Sequence, residues 1–98
     1  MNENKIIEKL QKIFNDIFTE QQVIVSKNLS ANEVDEWDSL NHINLIVAIE
    51  NEFKFKFTLE EIQSLKTVGD TIKLILHKIW ININLTIYQL MILKDLQL

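Results

Sequence analysis

The stretch Val34–Phe53, VDEWDSLNHINLIVAIENEF, sets a cluster of acids against a long apolar-rich run, with Ser39 at the join. From there on, Leu40, Ile43, Val47 and Glu50 fall on one helical stripe, with Leu45, Ile46, Ile49 and Phe53 beside it. That spacing predicts a helix starting at about Ser39. Its apolar arc is too wide for a helix that covers a single neighbour. Either the helix is nearly central, or part of its apolar surface awaits a partner. Serine and aspartate are both favoured at helix starts, because their oxygens accept bonds from the first amides. With Asp38 and Ser39 adjacent, one of the two is spare.

Upstream, Ile6, Leu10, Ile13 and Ile17 recur at spacings of four, three and four, widened by Ile7, Phe14 and Phe18, with Lys5, Glu8, Lys9, Lys12 and Asp16 mostly opposite. This predicts an amphipathic helix over residues 3–18. From Thr19 to Asp38 the pattern dissolves. Residues 23–25, VIV, fit a short strand or an apolar stretch of loop packed over the core, and Ser30 with Glu33 fits a single capped turn. A connection of about 20 residues is long for a compact domain, and such loops are often functional. Downstream, FKFKF at 53–57 reads as a loop anchored by phenylalanines. Thr58 with Glu61 and Thr67 with Asp70 both have capping-box spacing and open two further helices, the first of them short. In the second, Val68, Ile72, Ile75 or Leu76, and Ile79 form an apolar face. The expected fold is all-α: a small four-helix bundle of three main helices and one short one.

Residues 80–98 do not fit so simply. Ile81, Ile83, Leu85 and Ile87 alternate with Trp80, Asn82, Asn84 and Thr86 like a strand, while YQLMILKDLQL can equally continue a helix. Asparagines interrupt the run, which is too short and mixed to span a membrane. The plain expectation is a tail that packs back on the bundle or is poorly ordered. The alternative is pairing with another copy or a partner, through the exposed apolar residues from Trp80 onward. The chain therefore divides into residues 1–79 and an unassigned C-terminal extension, 80–98.

Ninety-eight residues with 47% hydrophobic content suffice for one modest core. Proline is absent and Gly69 is the only glycine, a poor supply of turn-formers for a sheet. There is no cysteine, hence no disulfide and no protein thiol. The N-terminus lacks a signal-peptide pattern, so a cytoplasmic protein is expected. Charge is unevenly spread: residues 1–29 balance, residues 30–61 hold eight acids against Lys54 and Lys56, and the remainder is +2. An acidic middle argues against nucleic acid, which needs a basic face. It suits basic protein partners steered in by charge.

A hydrolytic Ser39 would need a base, an orienting group and an oxyanion pocket. His42 lies one turn along, yet so small a bundle leaves little concave space and no nucleophile elbow is present. His42 reads as a solvated surface histidine, and His77 has no nearby ligand-type partner for a metal. A third role uses position alone. A helix N-terminus tolerates a phosphate esterified to its first residue, and a separate enzyme can install it.

The order of features from Asn4 to Lys78 resembles the acyl carrier protein family throughout: helix, long loop, EWDSL, a helix ending AIENEF, an aromatic loop, TLEEI, then TVGDTI. The resemblance implies a non-catalytic carrier. Ser39 would bear a 4′-phosphopantetheine arm, installed from coenzyme A by a magnesium-dependent phosphopantetheinyl transferase. Asp38 would lie beside the attachment point and Leu40 would be touched by partners. The arm would hold an acyl or aminoacyl group as a thioester, so that a cysteine-free chain imports its sulfur. Ile43, Asn44, Val47, Glu50 and Asn51 would meet partner enzymes (an activating ligase, a synthase or an acyltransferase). Leu45, Ile49 and Phe53 would face the core. Glu36, with Glu33, Asp35, Asp38 and Glu50, would supply an acidic field. Housekeeping fatty-acid carriers usually have a glycine-containing turn before D-S-L and more acids along this helix. EWDSLNH, with Asn41, Asn44 and Asn51, is more similar to stand-alone carriers of specialised acyl-transfer, polyketide or D-alanyl pathways. The competing expectation is an unmodified interaction module on a carrier-like bundle.

Overall fold

The computed structural model describes residues 1–96; Gln97 and Leu98, the end of the tail, lie outside the described residues. Four α-helices follow one another: α1, Glu3–Ile17; α2, Ser39–Phe53; α3, Leu59–Ser64; and α4, Val68–Leu96. A single 3-10 turn, Ala31–Glu33, interrupts the long connection between α1 and α2.

Each helix begins where a side chain can satisfy its first amides. Asn2 accepts from the Lys5 N–H at 2.9 Å, and Asp38 from the Asn41 N–H at 2.8 Å. Both capping boxes close as the spacing implied. Glu61 accepts from the Thr58 N–H at 2.8 Å, and Thr58 Oγ1 from the Glu61 N–H at 3.2 Å. Asp70 and Thr67 reciprocate at 3.2 Å each way. At the far end of α2, Lys54 takes the left-handed conformation at φ 61°, a place where glycine is the usual choice.

The core is one cluster. Ile6, Leu10 and Phe14 of α1 meet Ile49 of α2 and Val68 and Ile75 of α4, all fully buried. Burying each such side chain is worth about 1.5–3 kcal/mol against leaving it in water. Phe53, Phe55 and Phe57 are buried as well, so the FKFKF loop is indeed anchored by its aromatics.

The connection from residue 18 to 38 is not a strand but a loop sewn to the bundle. Val23, Val25, Leu29 and Val34 are buried while Ile24 is exposed. Gln11 of α1 clamps the backbone twice, donating to the Val23 carbonyl at 2.8 Å and accepting from the Val25 N–H at 2.9 Å. Farther along, the Val68 and Gly69 N–H groups of α4 donate to the Leu29 and Lys27 carbonyls at 2.9 and 2.8 Å. That close approach explains the lone glycine: a Cβ on Gly69 would stand 3.0 Å from the Lys27 oxygen.

The tail takes the helical course that YQLMILKDLQL allowed, and not the strand or the packing back. Residues 80–87 are not a strand, and the segment does not fold back on the bundle. It continues α4 to Leu96, with Trp80, Ile83, Leu85, Ile87, Tyr88, Leu90, Met91 and Leu93 each more than half exposed. A strand needs a neighbouring strand for its backbone groups, whereas a helix already nucleated upstream satisfies each added residue internally. The polar interruptions are absorbed the same way, with Asn84 Nδ2 donating to the Trp80 carbonyl at 2.8 Å and Thr86 Oγ1 to that of Asn82 at 2.9 Å. Twenty-nine residues at about 1.5 Å each give a helix roughly 44 Å long. The molecule is accordingly elongated, 59 × 26 × 20 Å.

Candidate functional site

Asp38 and Ser39 divide the two roles that their adjacency left open. Asp38, in extended conformation, is the cap, and Ser39 is the first residue inside α2. Ser39 is exposed, and no hydrogen bond ties its hydroxyl to another described group. The first amides of any α-helix have no partner within the helix. Ser39 therefore presents a free hydroxyl at the positive end of the α2 dipole.

Beside it lies a shallow cleft of about 470 Å³, lined by Ala31, Trp37, Asp38, Ser39, His42 and Ile43. A second shallow cleft of about 390 Å³ runs between α3 and α4, lined in part by Glu61, Asp70, Lys73 and His77. Only the first contains the helix head. Its aromatic wall is fixed from behind, because Trp37 packs edge-on against Phe14 at 5.4 Å and leans on Phe18 at 5.7 Å.

His42 is not the solvated surface residue its sequence position suggested. It is half-buried, its ring stacks on Trp37, and its Nδ1 accepts the Trp37 indole N–H at 3.1 Å. Nδ1 is therefore committed to holding the indole. The pairing was invisible in sequence except as an aromatic and a histidine five residues apart. Among the described residues no group of three His, Asp or Glu side chains could hold a metal.

Along α2 the wide apolar arc splits in two. Leu45, Ile46, Ile49 and Phe53 are buried, while Leu40, Ile43 and Val47 are 69, 50 and 48% exposed. Asn44 and Asn51 are exposed on the same helix. The structure thus brings Ser39, Leu40, Ile43, Asn44, Val47 and Asn51 to accessible positions. It does not leave Glu36 and Glu50 as free anions. Glu36 Oε1 accepts from the Glu20 and Gln21 N–H groups at 2.9 and 3.3 Å, tying the long loop to the segment before α2. Glu50, its side chain only 12% exposed, accepts from the Phe57 N–H at 2.8 Å and faces Lys56 at 3.8 Å. Asp35 and Glu33 are exposed, the latter also accepting from the Ser30 N–H at 3.1 Å.

A small helical bundle with an exposed serine at the head of its second helix is the arrangement that the resemblance to a carrier-type protein implied, and comparison with known proteins agrees. No protein-family model matches the chain. It is 33% identical to the acyl carrier protein of Coprothermobacter proteolyticus, the match covering 76% of this chain and 92% of that one. It is 34% identical to the acyl carrier protein of Thermosynechococcus vestitus, over 81% of this chain and 98% of that one. Its fold matches the solution structure of the holo acyl carrier protein from Geobacter metallireducens with a TM-score of 0.73 at 40% identity, covering 80% and 90% of the two chains. The chain belongs to the acyl carrier protein family.

Proposed function

We propose that Ser39 is the attachment point of a 4′-phosphopantetheine arm and that the chain carries acyl or aminoacyl groups rather than transforming them. The observation that carries this reading is the division of labour at the helix head, where Asp38 caps and Ser39 is left exposed with its hydroxyl unengaged. The site fits such a group. The hydroxyl opens to solvent beside a cleft with one aromatic and one apolar wall, Trp37 and Ile43. A phosphodiester there would face the amide end of α2, where an anion is favoured by about 0.3–1 kcal/mol. The holo state of the Geobacter metallireducens relative supports the same reading.

When bound, the arm supplies a thiol that holds the cargo as a thioester. The chain's own residues do three other things. Asp38 fixes the first turn of α2, so that the hydroxyl keeps a constant direction for a phosphopantetheinyl transferase. Trp37 and His42 hold the neighbouring wall in one arrangement. Leu40, Ile43 and Val47, repeating along α2, offer a visiting ligase, synthase or acyltransferase an apolar stripe whose outward side lacks strong charge. This stripe, with Asn44 and Asn51 where acids would strengthen steering, supports partners selected by apolar contact more than by charge. The pathway that fits best is a specialised acyl- or aminoacyl-transfer pathway.

The deciding experiment is intact mass after incubation with coenzyme A, magnesium and a broad-specificity transferase. The wild-type chain is expected to gain one phosphopantetheinyl group and Ser39→Ala none. An unchanged wild-type mass would favour an unmodified interaction module, and an equal gain in Ser39→Ala would move the attachment elsewhere.

A further inference from the structure

The extension of α4 is the one large surface that the carrier reading does not use. Between Trp80 and Leu96 ten large apolar side chains are more than 40% exposed. On the area-transfer scale each offers on the order of 100 Å², about 1,000 Å² together, spread around the helix, of which Trp80, Ile83, Ile87 and Leu90 on one face supply about 400 Å². The largest apolar patch of a typical monomer is about 300–600 Å², and a standard interface buries about 800 Å² a side. A helix this apolar on every side, standing clear of its own bundle, has the material of an interface.

Its pattern specifies a helix as the occupant. Trp80, Ile83, Ile87 and Leu90 recur at spacings of three, four and three, continued by Leu76, half-buried against the bundle core, four residues before and by Lys94 four residues after. This is the spacing of a two-stranded coiled-coil seam, with Leu85, Tyr88, Ile92, Leu93 and Leu96 lying off it. Asn82, Thr86 and Gln89 form a separate polar line on the same helix.

We propose that the occupant is a second copy of this chain, the two extensions pairing antiparallel along this seam. The seam is self-complementary in that direction, as a two-fold contact requires. Ile83 lies opposite the partner's Ile87, Trp80 opposite the partner's Leu90, and Leu76 opposite the partner's Lys94. Charge selects the direction. Within residues 80–96 only Lys94 and Asp95 are charged, so paired extensions carry no net repulsion. The acidic segments, residues 30–61 with a net charge of −6, would crowd together in a parallel pair. Antiparallel pairing puts them at opposite ends, and it parts the two Lys94 side chains in the same way.

A lipid surface fits less well. Asn82, Asn84, Thr86 and Gln89 interrupt the extension on several sides, and Lys94 is its only cation for an anionic headgroup. No helix of the described residues is long and apolar enough to cross a membrane.

Sedimentation of the full chain tests the proposal, and it stands apart from the chemistry of Ser39. The wild type is expected to be a dimer at tens of micromolar. Ile83→Glu with Ile87→Glu should weaken pairing by at least about 100-fold, which leaves a monomer. Both side chains are about half exposed in the single chain, so helical circular dichroism should be kept. Because the chain has no cysteine, mixing the Ile83→Cys and Ile87→Cys proteins under mild oxidation reads the direction. Mixed dimers are expected in excess over either homodimer. A monomeric wild type, a double variant that stays dimeric, or homodimers in excess would each overturn the proposal. So would a chain that is monomeric in solution yet floats with phosphatidylcholine–phosphatidylglycerol vesicles.

Discussion

Asp38 and Ser39 are neighbours with opposite obligations, and the difference can be measured. Asp38 holds an orphan amide of α2, so Asp38→Ala should cost about 1 kcal/mol. In a domain of this size that lowers the Tm by roughly 4–8 °C. Ser39 holds nothing, so Ser39→Ala should change stability by less than about 0.5 kcal/mol while removing the proposed loading. Thermal melts of the two variants beside intact mass would separate the cap from the handle. Equal melting losses would show that Ser39 also supports the helix. Lys54 is the converse case, a residue in a conformation its side chain resists. Left-handed backbone costs a non-glycine residue roughly 1–2 kcal/mol, and glycine returns part of that as entropy lost on folding. Lys54→Gly is therefore expected to raise stability by about 0.5–1 kcal/mol in chemical denaturation. A fall instead would mean that the Lys54 side chain contributes more than its exposed position suggests.

At the scale of elements, the helices were legible, while the bonds that order the loop and the course of residues 80–87 were not, for a physical reason. Ile6, Leu10 and Phe14 repeat at helical spacing, and Thr58–Glu61 and Thr67–Asp70 announce their own caps, so local sequence specifies α1, α3 and the start of α4. The order of residues 18–38 comes instead from Gln11 of α1, from the head of α4, and from Glu36, which ties the loop's far end back to Glu20 and Gln21. No period in the loop itself records them. His42 was misread for a related reason, since its burial depends on Trp37 being held by Phe14 and Phe18. Alternation at Trp80–Ile87 suggested a strand, but continuity with a helix already begun outweighed it. Gln11 tests the idea that distant bonds order the loop. Gln11→Ala removes two bonds to the Val23 carbonyl and the Val25 N–H, at a cost of about 1–3 kcal/mol. Amide exchange should quicken first at Val25 and its neighbours while the amides of α1 and α2 stay protected. Uniform loss of protection would make the loop part of one cooperative unit with the helices.

For the whole molecule, the joints between helices are partly ionic, and this gives its stability a direction with pH. Lys9 and Glu52 join α1 to α2 at 2.6 Å, and Lys78 and Glu61 join α4 to α3 at 2.8 Å. The hydrogen bond from Lys9 holds the Glu52 carboxyl below its ordinary value. Burial alone would raise that of Glu61, but the bond from Lys78 and the Thr58 amide outweigh it and lower it. The Lys66 and then the Thr67 N–H lower that of Asp70. A carboxyl lowered in the folded state contributes stability above its unfolded pKa, about 3.9–4.3, and loses it as pH falls through the folded value. Among these joints Lys9–Glu52 matters least, being well exposed and open to screening. Acid has an opposing effect too, because protonating the crowded acids of residues 33–38 relieves their repulsion. The wild-type melting curve alone would mix the two effects, so the measurement is a difference. Asp70→Asn with Glu61→Gln should melt below the wild type at pH 7, and the gap should close as pH falls from about 4.5 toward 3. A gap that stays constant across that range would mean that the two side chains act through shape and neutral hydrogen bonds, with their charges contributing nothing to the fold.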